Sequence, residues 1–132
     1  MIANPRASQS DAGLGGDLAT ILGATLTVSS WTLSGNQATD GAGGSAANGG
    51  NGFGGVYNDG QSSLEVHGST ITDNTATGGA AGSGGSAGQG VGGGAYFAAG
   101  GVVCLDAYTV ANILGNTAST SNNDVFGAFS IC

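Results

Sequence analysis

Short runs of aliphatic and β-branched residues recur along the chain at nearly constant intervals, and glycine and small polar residues separate them. The tetrapeptide Gly13-Leu14-Gly15-Gly16 recurs as Gly52-Phe53-Gly54-Gly55 and as Gly90-Val91-Gly92-Gly93, at spacings of 39 and 38 residues. A repeat of this length indicates stacked units, each of which is too small to bury its apolar face alone.

Apolar and polar residues alternate over short stretches within each repeat, which is typical of β-strands with one buried face. One repeat is interpreted as three short strands separated by turns, Phe53 to Asn58, Leu64 to Val66 and Ser69 to Asn74. Equivalent residues of successive repeats are expected to lie above one another in a shared apolar interior. The predicted core columns are Leu26/Leu64/Val103, Val28/Val66/Leu105 and Leu33/Ile71/Val110.

Two glycine-rich stretches, Gly41 to Gly52 and Gly78 to Gly90, are interpreted as insertions between the third strand of one coil and the first strand of the next. Without them, about 25 residues remain per coil, too few for the helix of a βαβ crossover. Each strand is therefore expected to pair with its equivalent one coil away, about 4.8 Å along the axis.

The third repeat differs from the first two in length. Its asparagine string, Asn116-Thr117-Ala118, follows a two-residue insertion, and its glycine-loop equivalent, Ser119 to Asp124, is much shorter. The final strand, Val125 to Ile131, is expected to begin a fourth coil, with Phe126-Gly127 in the place of Phe53-Gly54.

Two strings of the repeat resemble a known class of proteins. Gly54-Gly55-Val56-Tyr57, also present as Gly93-Gly94-Ala95-Tyr96, is followed by Thr70-Ile71-Thr72-Asp73-Asn74-Thr75-Ala76. This combination resembles the repeats of bacterial right-handed parallel β-helix surface proteins, including the polymorphic outer membrane protein and autotransporter-passenger types. The match runs from about Gly13 to the end of the chain, and it implies a right-handed solenoid at the cell surface.

The fold class expected from the repeat and the resemblance is all-β, a right-handed parallel β-helix of about three coils with glycine-rich loop insertions. Residues 1–12 are assigned to an N-terminal extension and residues 13–132 to the solenoid domain. The repeats span about 13–51, 52–89 and 90–132.

The composition limits the kinds of molecule that this protein is expected to bind. The 132 residues include 29 glycines and one proline, and only 7% of them are charged. Arg6 is the single Lys or Arg residue against eight acids, and the formal charge of -7 argues against nucleic acid as a partner. No apolar run approaches the roughly 20 residues of a membrane helix, so no membrane insertion is expected. The lysine-free, small-residue composition favours an extracellular or cell-surface location.

Polysaccharide-cleaving enzymes share this architecture, and such an enzyme would need acid–base residues in this chain. The candidate acid–base groups are Asp59, Asp73, Asp106 and His67. Such sites need clustered carboxylates with a basic group that stabilises developing negative charge. With no lysine, and with Asp73 and His67 interpreted as turn or surface residues, no enzyme activity, catalytic residue or cofactor is expected.

Two glycine-rich motifs were tested as ligand sites. Gly49-Gly50-Asn51-Gly52-Phe53 resembles the start of a calcium-binding nonapeptide repeat, but Gly54 stands where the main acidic ligand is expected, so no metal site is predicted. Gly90 to Ala95 formally fits a dinucleotide fingerprint, but it opens no helical pattern and is interpreted as compositional.

Cys104 and Cys132 form an even pair in a chain that otherwise looks exported, so an intramolecular disulfide is expected. Cys104 aligns with the outward positions of Thr27 and Glu65. A bond from it to Cys132 would hold the last strand against the preceding coil. The alternative joins Cys132 of one subunit to Cys104 of another.

Threonine and aromatic columns were also considered. Thr32/Thr70/Thr109, with Ser34/Thr72/Ala111 beside it, resembles the threonine arrays of ice-binding solenoids, although threonine is also a favoured strand residue. Tyr57/Tyr96 and Trp31/Tyr108 are interpreted as packing pairs that stack between neighbouring coils.

The two ends of a short solenoid present unpaired strand edges, and no helical cap is evident in this sequence. The apolar residues Val125, Phe126, Phe129 and Ile131 are predicted to mediate self-association. The expected function is that of a structural extracellular protein, a fibre or surface-matrix subunit built by stacking of solenoids, whose partner is itself. The alternative is an adhesin or glycan-binding module excised from a larger surface protein, which would bind surface glycans. Ice binding and polysaccharide cleavage are less favoured.

Overall fold

The computed structural model describes residues 13–14 and 16–132, so the predicted extension at residues 1–12 lies outside the described residues. The described residues form seventeen short strands and one short helix. In chain order they are β1 (Gly13–Leu14), β2 (Leu18–Thr20), β3 (Thr25–Ser29), β4 (Thr32–Ser34), β5 (Gln37–Thr39), β6 (Gly52–Phe53), β7 (Val56–Asn58), β8 (Ser63–His67), β9 (Thr70–Thr72), β10 (Thr75–Thr77), β11 (Gly90–Val91), β12 (Ala95–Phe97), β13 (Val102–Leu105), α1 (Ala107–Ala111), β14 (Ile113–Leu114), β15 (Thr117–Ala118), β16 (Val125–Phe126) and β17 (Ser130–Ile131).

The strands form five stacked parallel sheets. Their orders are β1-β6-β11 (sheet A), β2-β7-β12-β16 (sheet B), β3-β8-β13-β17 (sheet C), β4-β9-β14 (sheet D) and β5-β10-β15 (sheet E). Every strand pairs in parallel with its equivalent in the next repeat, as Leu18 does with Val56 and Val56 does with Ala95. The predicted all-β class with coil-to-coil pairing is confirmed as a β-solenoid-like stack.

Each of the first two repeats contributes five strands, so the prediction of three strands was wrong. The segment interpreted as one strand from Ser69 to Asn74 contains β9 and then a turn, at which Asp73 has a φ of 58°. Glycine has no side chain, and a pair of residues shows no alternation, so Gly52–Phe53 left no strand signal of its own in the sequence.

Two of the predicted core columns are correct in register. Leu26 pairs with Leu64, which pairs with Val103, and the same three strands align Val28 with Val66 and Leu105. All of these residues are buried except Leu26, which is half-buried and packs against the core.

The third predicted column was wrong in its last member. Leu33 pairs with Ile71 as expected, but the next residue in the column is Ile113 and not Val110. Val110 belongs to α1, a helical turn inserted between β13 and β14, and it packs against the core from there. The insertion is three residues long, since the spacing between paired residues rises from 39 at Val66 and Leu105 to 42 at Ile71 and Ile113.

A column of buried amides lies at the corner between sheets D and E. Asn74 Oδ1 accepts hydrogen bonds from the main-chain N–H and the side-chain Nδ2 of Asn36, both at 3.0 Å. Asn74 Nδ2 donates to the Leu33 carbonyl and to Asn116 Oδ1, and Asn116 Nδ2 donates to Asp124 Oδ1 at 2.9 Å. The corner between sheets D and E is thus tied to the coils on either side of it.

Candidate self-association surface

The apolar interior opens at the C-terminal end of the stack. Strand β17 adds to β13, with Ile131 paired to Leu105, so the second core column ends in Ile131. Nothing among the described residues covers this side chain, and 63% of its surface is exposed. Phe129 packs edge-on against Phe97 with ring centroids 6.3 Å apart, and it is 37% exposed. Two core-type side chains therefore face solvent at this end.

The first coil differs from this open end. Val28 and Leu33 begin the same kind of column, yet they are only 5% and 1% exposed. The large apolar residues exposed in the first coil, Ile21, Leu22 and Trp31, lie in the turns after β2 and β3, outside the core columns. Leu26, which begins the remaining column, is half-buried, so among the described residues the core columns are more exposed at the C-terminal end than in the first coil.

A disulfide joins Cys104 to Cys132 and fixes the last strand on the preceding coil, as predicted for an intramolecular bond. Two further contacts hold the same segment: Ser130 Oγ donates to the Val103 carbonyl, and the Cys132 N–H donates to the Leu105 carbonyl. The exposed apolar end is therefore held in a fixed arrangement by covalent and hydrogen bonds.

An aromatic column runs along the outer side of sheet B, between Phe53, Tyr57, Tyr96 and Phe126. The rings of Tyr57 and Tyr96 stack at 5.6 Å, and those of Tyr96 and Phe126 stack at 4.7 Å. Burial, followed by the neighbouring Tyr96 and Asp59, raises the pKa of Tyr57 above its usual value. The packing role expected for Tyr57 and Tyr96 agrees with this contact.

Phe126 does not take the place predicted for it. It pairs with Tyr96 in sheet B, so it corresponds to Tyr57 and not to Phe53. Ser121 forms the β-bridge to Val91, so Ser121 is the residue that corresponds to Phe53 in the last coil. The final segment is also two strands, β16 and β17, because Gly127 turns the chain with a φ of 101° between them. Val125, which pairs with Ala95, is half-buried against the core.

The two glycine-rich insertions form ordered, stacked loops, here called loop 1 (residues 41–51) and loop 2 (residues 78–89). Each folds back on itself through two main-chain hydrogen bonds. In loop 1 these join Gly50 to Gly41 and Ala47 to Gly44, and in loop 2 they join Gly88 to Gly79 and Gly85 to Gly82. The loops are thus small hairpins that project from the solenoid between sheets E and A.

Loop 1 donates to loop 2 at every third residue. The N–H groups of Gly43, Ala46 and Gly49 donate to the carbonyls of Ala80, Ser83 and Ser86, each at 2.9 Å. Both hairpins turn at equivalent residues with left-handed backbone, Ala46 with a φ of 61° and Gly84 with a φ of 84°. The chains approach so closely that a Cβ added at Gly79, Gly82 or Gly85 would collide with the main chain of loop 1.

The four candidate acid–base residues are not gathered at one place, although His67 lies near enough to Asp106 to contribute to the lowered pKa of that carboxyl. Asp59 and Asp106 lie at turns, where they accept main-chain hydrogen bonds from Leu22 and Gln61 and from Gly68 and Thr109 respectively. Asp73 is exposed at the turn between β9 and β10. His67 Nε2 lies 3.7 Å from Glu65 Oε2 on the outer side of sheet C.

Hydrogen bonding changes the acidity of two of these carboxyl groups. The side chain and then the N–H of Thr109, followed by the N–H of Gly68, hold the pKa of Asp106 below its usual value. Ser62 has the largest effect on Asp59, ahead of the N–H groups of Gln61 and Leu22, and the pKa of Asp59 is also lowered. Both carboxylates are therefore engaged in turn structure.

The threonine column that resembles an ice-binding array is interrupted. Thr32 and Thr70 pair, and their hydroxyls are 3.2 Å apart, but Thr109 is buried in α1, where its Oγ1 accepts a hydrogen bond from the Ser69 N–H. Ala111 lies in the same helix. The helix also separates the expected aromatic pair, because Tyr108 lies on it; Trp31 and Tyr108 are 51% and 55% exposed.

Comparison of the chain with protein-family models, curated proteins and solved structures finds no match. In residues 13–14 and 16–132, no three His, Cys, Asp or Glu side chains are grouped so that they could hold a metal ion. The part of the chain that the structure describes has no helix with the length and apolar character needed to cross a membrane.

Proposed function

We propose that this protein is a structural extracellular subunit, a right-handed parallel β-helix whose open C-terminal end binds a second copy of the chain. The observation that carries the proposal is the exposure of Phe129 and Ile131, at the positions where core columns end. Apolar side chains in fixed positions bind with little loss of conformational freedom, which favours association. The open end of a second copy presents the same apolar core residues, and it is therefore the partner that best matches this surface.

The contact is proposed to join two C-terminal ends. The first-coil residues Val28 and Leu33 are already buried, so the opposite end offers less apolar core surface to a partner. A contact between identical surfaces is isologous and closes as a two-fold pair. A second kind of contact would be required to extend such pairs into a fibre or surface matrix.

An extracellular location is supported by the disulfide between Cys104 and Cys132, because such bonds persist chiefly in oxidising compartments. Two of the eight acids, Asp106 and Asp124, adjoin this end of the stack, since Asp106 follows the Ile131 partner Leu105 and Asp124 precedes Val125. The segment from Val125 to Cys132 carries no ionisable side chain.

Solution association of single-residue variants tests the proposal. Ile131→Asp and Phe129→Asp place a charge in the contact and are expected to weaken association by at least about tenfold, because burying an unpaired carboxylate is costly. Val102→Asp is the matched control, since Val102 is 64% exposed on the side of sheet C. Sedimentation velocity over a range of concentrations gives the result. Equal association of Ile131→Asp, Val102→Asp and the parent chain would refute the proposed contact.

A further inference from the structure

The first coil ends the stack with an open main-chain edge. In each of the five sheets the strand of the first coil is an end strand, so among the described residues nothing pairs with its outer side. The longest of these five strands is β3, Thr25–Ser29, which pairs with β8 alone. An edge strand of this kind is a template for pairing with another chain.

Alternate residues of β3 direct their main-chain groups away from the stack. The Ser63 N–H donates to the Ala24 carbonyl, and the Ser30 N–H donates to the His67 carbonyl. Because alternate residues of a strand face the same neighbour, the even-numbered residues bond to the second coil. The N–H and C=O groups that point outward from the end of the stack are those of Thr25, Thr27 and Ser29.

This edge is complementary to itself in an antiparallel arrangement. When two copies of β3 pair about a two-fold axis at Thr27, Thr25 lies opposite the partner's Ser29, and Thr27 lies opposite the partner's Thr27. All of these residues have their main-chain groups on the outer side, so each opposed pair exchanges two N–H···O=C hydrogen bonds. The donors and acceptors of the edge are therefore used by a second copy of the same strand.

The same register joins the apolar interiors of the two copies. Leu26 lies opposite the partner's Val28, and both side chains face the core side of sheet C. Leu26 is only half-buried, whereas Leu64 and Val103, which continue its column, are 1% and 4% exposed. Pairing of the edges thus covers Leu26 with a core residue of the partner.

Two exposed apolar residues flank β3 and come together across this contact. Leu22, in the turn before the strand, is 87% exposed, and Trp31, two residues after the strand, is 51% exposed. Gly23 and Trp31 are each four residues from Thr27. Reversal of the strand about Thr27 therefore brings the turn that carries Leu22 over the partner's Trp31.

Leu22 occupies its exposed position in an unfavourable conformation. Its φ of 61° lies in the left-handed region, which is costly for a residue with a Cβ. The second coil has Gly60 at the equivalent position, since the paired strands before the two turns are 38 residues apart. The Leu22 N–H donates to Asp59 Oδ2 at 2.7 Å, and the Gly23 N–H donates to Ser62 Oγ, so the turn is fixed. A contact with a second chain accounts for a large apolar side chain at this position.

Charge does not oppose an approach at this end. Residues 18–39 contain no charged side chain and no proline, whereas the inner strand β8 carries Glu65 and His67. Natural proteins commonly protect edge strands from pairing with charged side chains or proline. The first coil lacks both forms of protection at the edge where they would be needed.

We propose that the first coil binds the first coil of a second copy, through antiparallel pairing of β3 with the partner's β3 about Thr27 and packing of Leu22 on the partner's Trp31. This contact rests on the proposed function and deepens it, because it supplies the second interface that a fibre requires. Like the C-terminal contact, it is isologous and closes as a two-fold pair. Alternation of the two contacts links the subunits into an open chain.

Leu22→Asn in the full chain tests the packing at the flanks of the contact. Leu22 and Gly23 both have a positive φ, and Asn-Gly is a preferred pair at two such turn positions. The variant is therefore expected to fold with equal or higher stability, while association through the first coil falls by at least about tenfold. Val102→Asn, at an exposed apolar residue of the third coil, is the matched control and should associate like the parent chain.

Thr27→Lys tests the pairing at the two-fold axis. Within the chain the new ammonium group lies beside Glu65, which pairs with Thr27, so the fold and its circular dichroism should be retained. Across the axis it lies opposite the partner's identical group, and like charges at opposed positions are unfavourable. Association through the first coil should fall by at least about tenfold and recover partly in high salt. Thr72→Lys, on the inner strand of sheet D, is the matched control.

Combination with Ile131→Asp separates the two contacts in sedimentation velocity. We expect long assemblies from the parent chain, pairs joined through β3 from Ile131→Asp, pairs joined at the C-terminal ends from Thr27→Lys, and monomers from the double variant. If either Leu22→Asn or Thr27→Lys assembles like the parent chain, the β3 contact is refuted, even when Ile131→Asp has its expected effect. If only Ile131→Asp has no effect, the C-terminal contact fails and the β3 contact stands.

Discussion

The buried amide column can be tested most sharply at Asn74, the middle member, whose side chain is completely inaccessible to solvent. Asn74→Ala removes four side-chain hydrogen bonds: two accepted from Asn36, one donated to the Leu33 carbonyl and one donated to Asn116 Oδ1. The main-chain hydrogen bond from the Asn74 N–H to Asn116 Oδ1 remains possible. The substitution therefore leaves the buried Leu33 carbonyl without this donor and removes the acceptor of Asn36.

The expected loss of stability follows from these contacts. Each lost hydrogen bond contributes about 1 kcal/mol net, and a buried group left without a partner adds about 1–3 kcal/mol. Asn74→Ala is thus expected to lower the free energy of unfolding by about 5 kcal/mol, a large part of the roughly 5–15 kcal/mol that stabilises a typical domain. Asn36→Ala, at the half-buried end of the column, removes one side-chain donor and should cost about 1 kcal/mol.

Urea unfolding followed by circular dichroism measures both values. The comparison is valid if the dependence of the unfolding free energy on urea concentration is the same in the two variants. If Asn74→Ala loses less than about 2 kcal/mol, or no more than Asn36→Ala, the column does not have the stabilising role derived from its hydrogen bonds.

Three further predictions concern other parts of the molecule. The pKa of Asp106 is below its usual value, so the stability that this carboxylate contributes is present above about pH 4 and is lost as the pH falls through the lowered pKa. Asp106→Asn should therefore reduce the dependence of the melting temperature on pH between about pH 5 and 2. The same pH dependence in the variant and the parent chain would contradict this. Gly79→Ala should lower the free energy of unfolding by about 1–3 kcal/mol, because the added methyl group forces the loops apart. Gly44→Ala should leave the free energy of unfolding, measured in urea, equal or slightly raised. Equal losses of stability in the two variants would refute the close-packed loop geometry. Replacement of both Cys104 and Cys132 by serine removes a disulfide that spans 28 residues. The free energy of unfolding should fall by about 3.5 kcal/mol relative to the oxidised parent chain. No change would show that the last strands are held by other contacts.

The columns that could be predicted from the sequence are those in which the spacing between repeats stays constant. Leu64 and Val103 are 39 residues apart and lie one above the other, because nothing is inserted between the strands that carry them. The column through Ile71 was assigned correctly only as far as the α1 insertion, since Val110 has the same chemical character as Ile113 and lies at a plausible distance along the chain.

Other features left weaker signals. The sequence predicts Asn74 only as the last residue of a strand, because it does not show whether a polar residue at a corner points outward or into an amide column. The sequence does not predict the ordered structure of loops 1 and 2, because glycine has no side chain whose pattern could report it. The hydrogen-bond donors of loop 1 recur at every third residue, so a three-residue period in the sequence could have been sought. Phe126 was placed in sheet A, although it belongs to sheet B. Phe53-Gly54, Val91-Gly92 and Phe126-Gly127 all fit the same short motif, so the motif alone does not distinguish the two sheets.

The coil-to-coil register carries a consequence for how the gene could change. Because the strands of the first repeat pair with equivalents 38 or 39 residues away and the amide column connects only adjacent coils, duplication of that whole repeat would supply every new strand with partners of the same type. Deletions within a repeat would instead shift all later residues out of alignment. Length variation among descendants of such a gene should thus occur in steps of entire coils, with irregular changes confined to corners such as the one that accommodates α1.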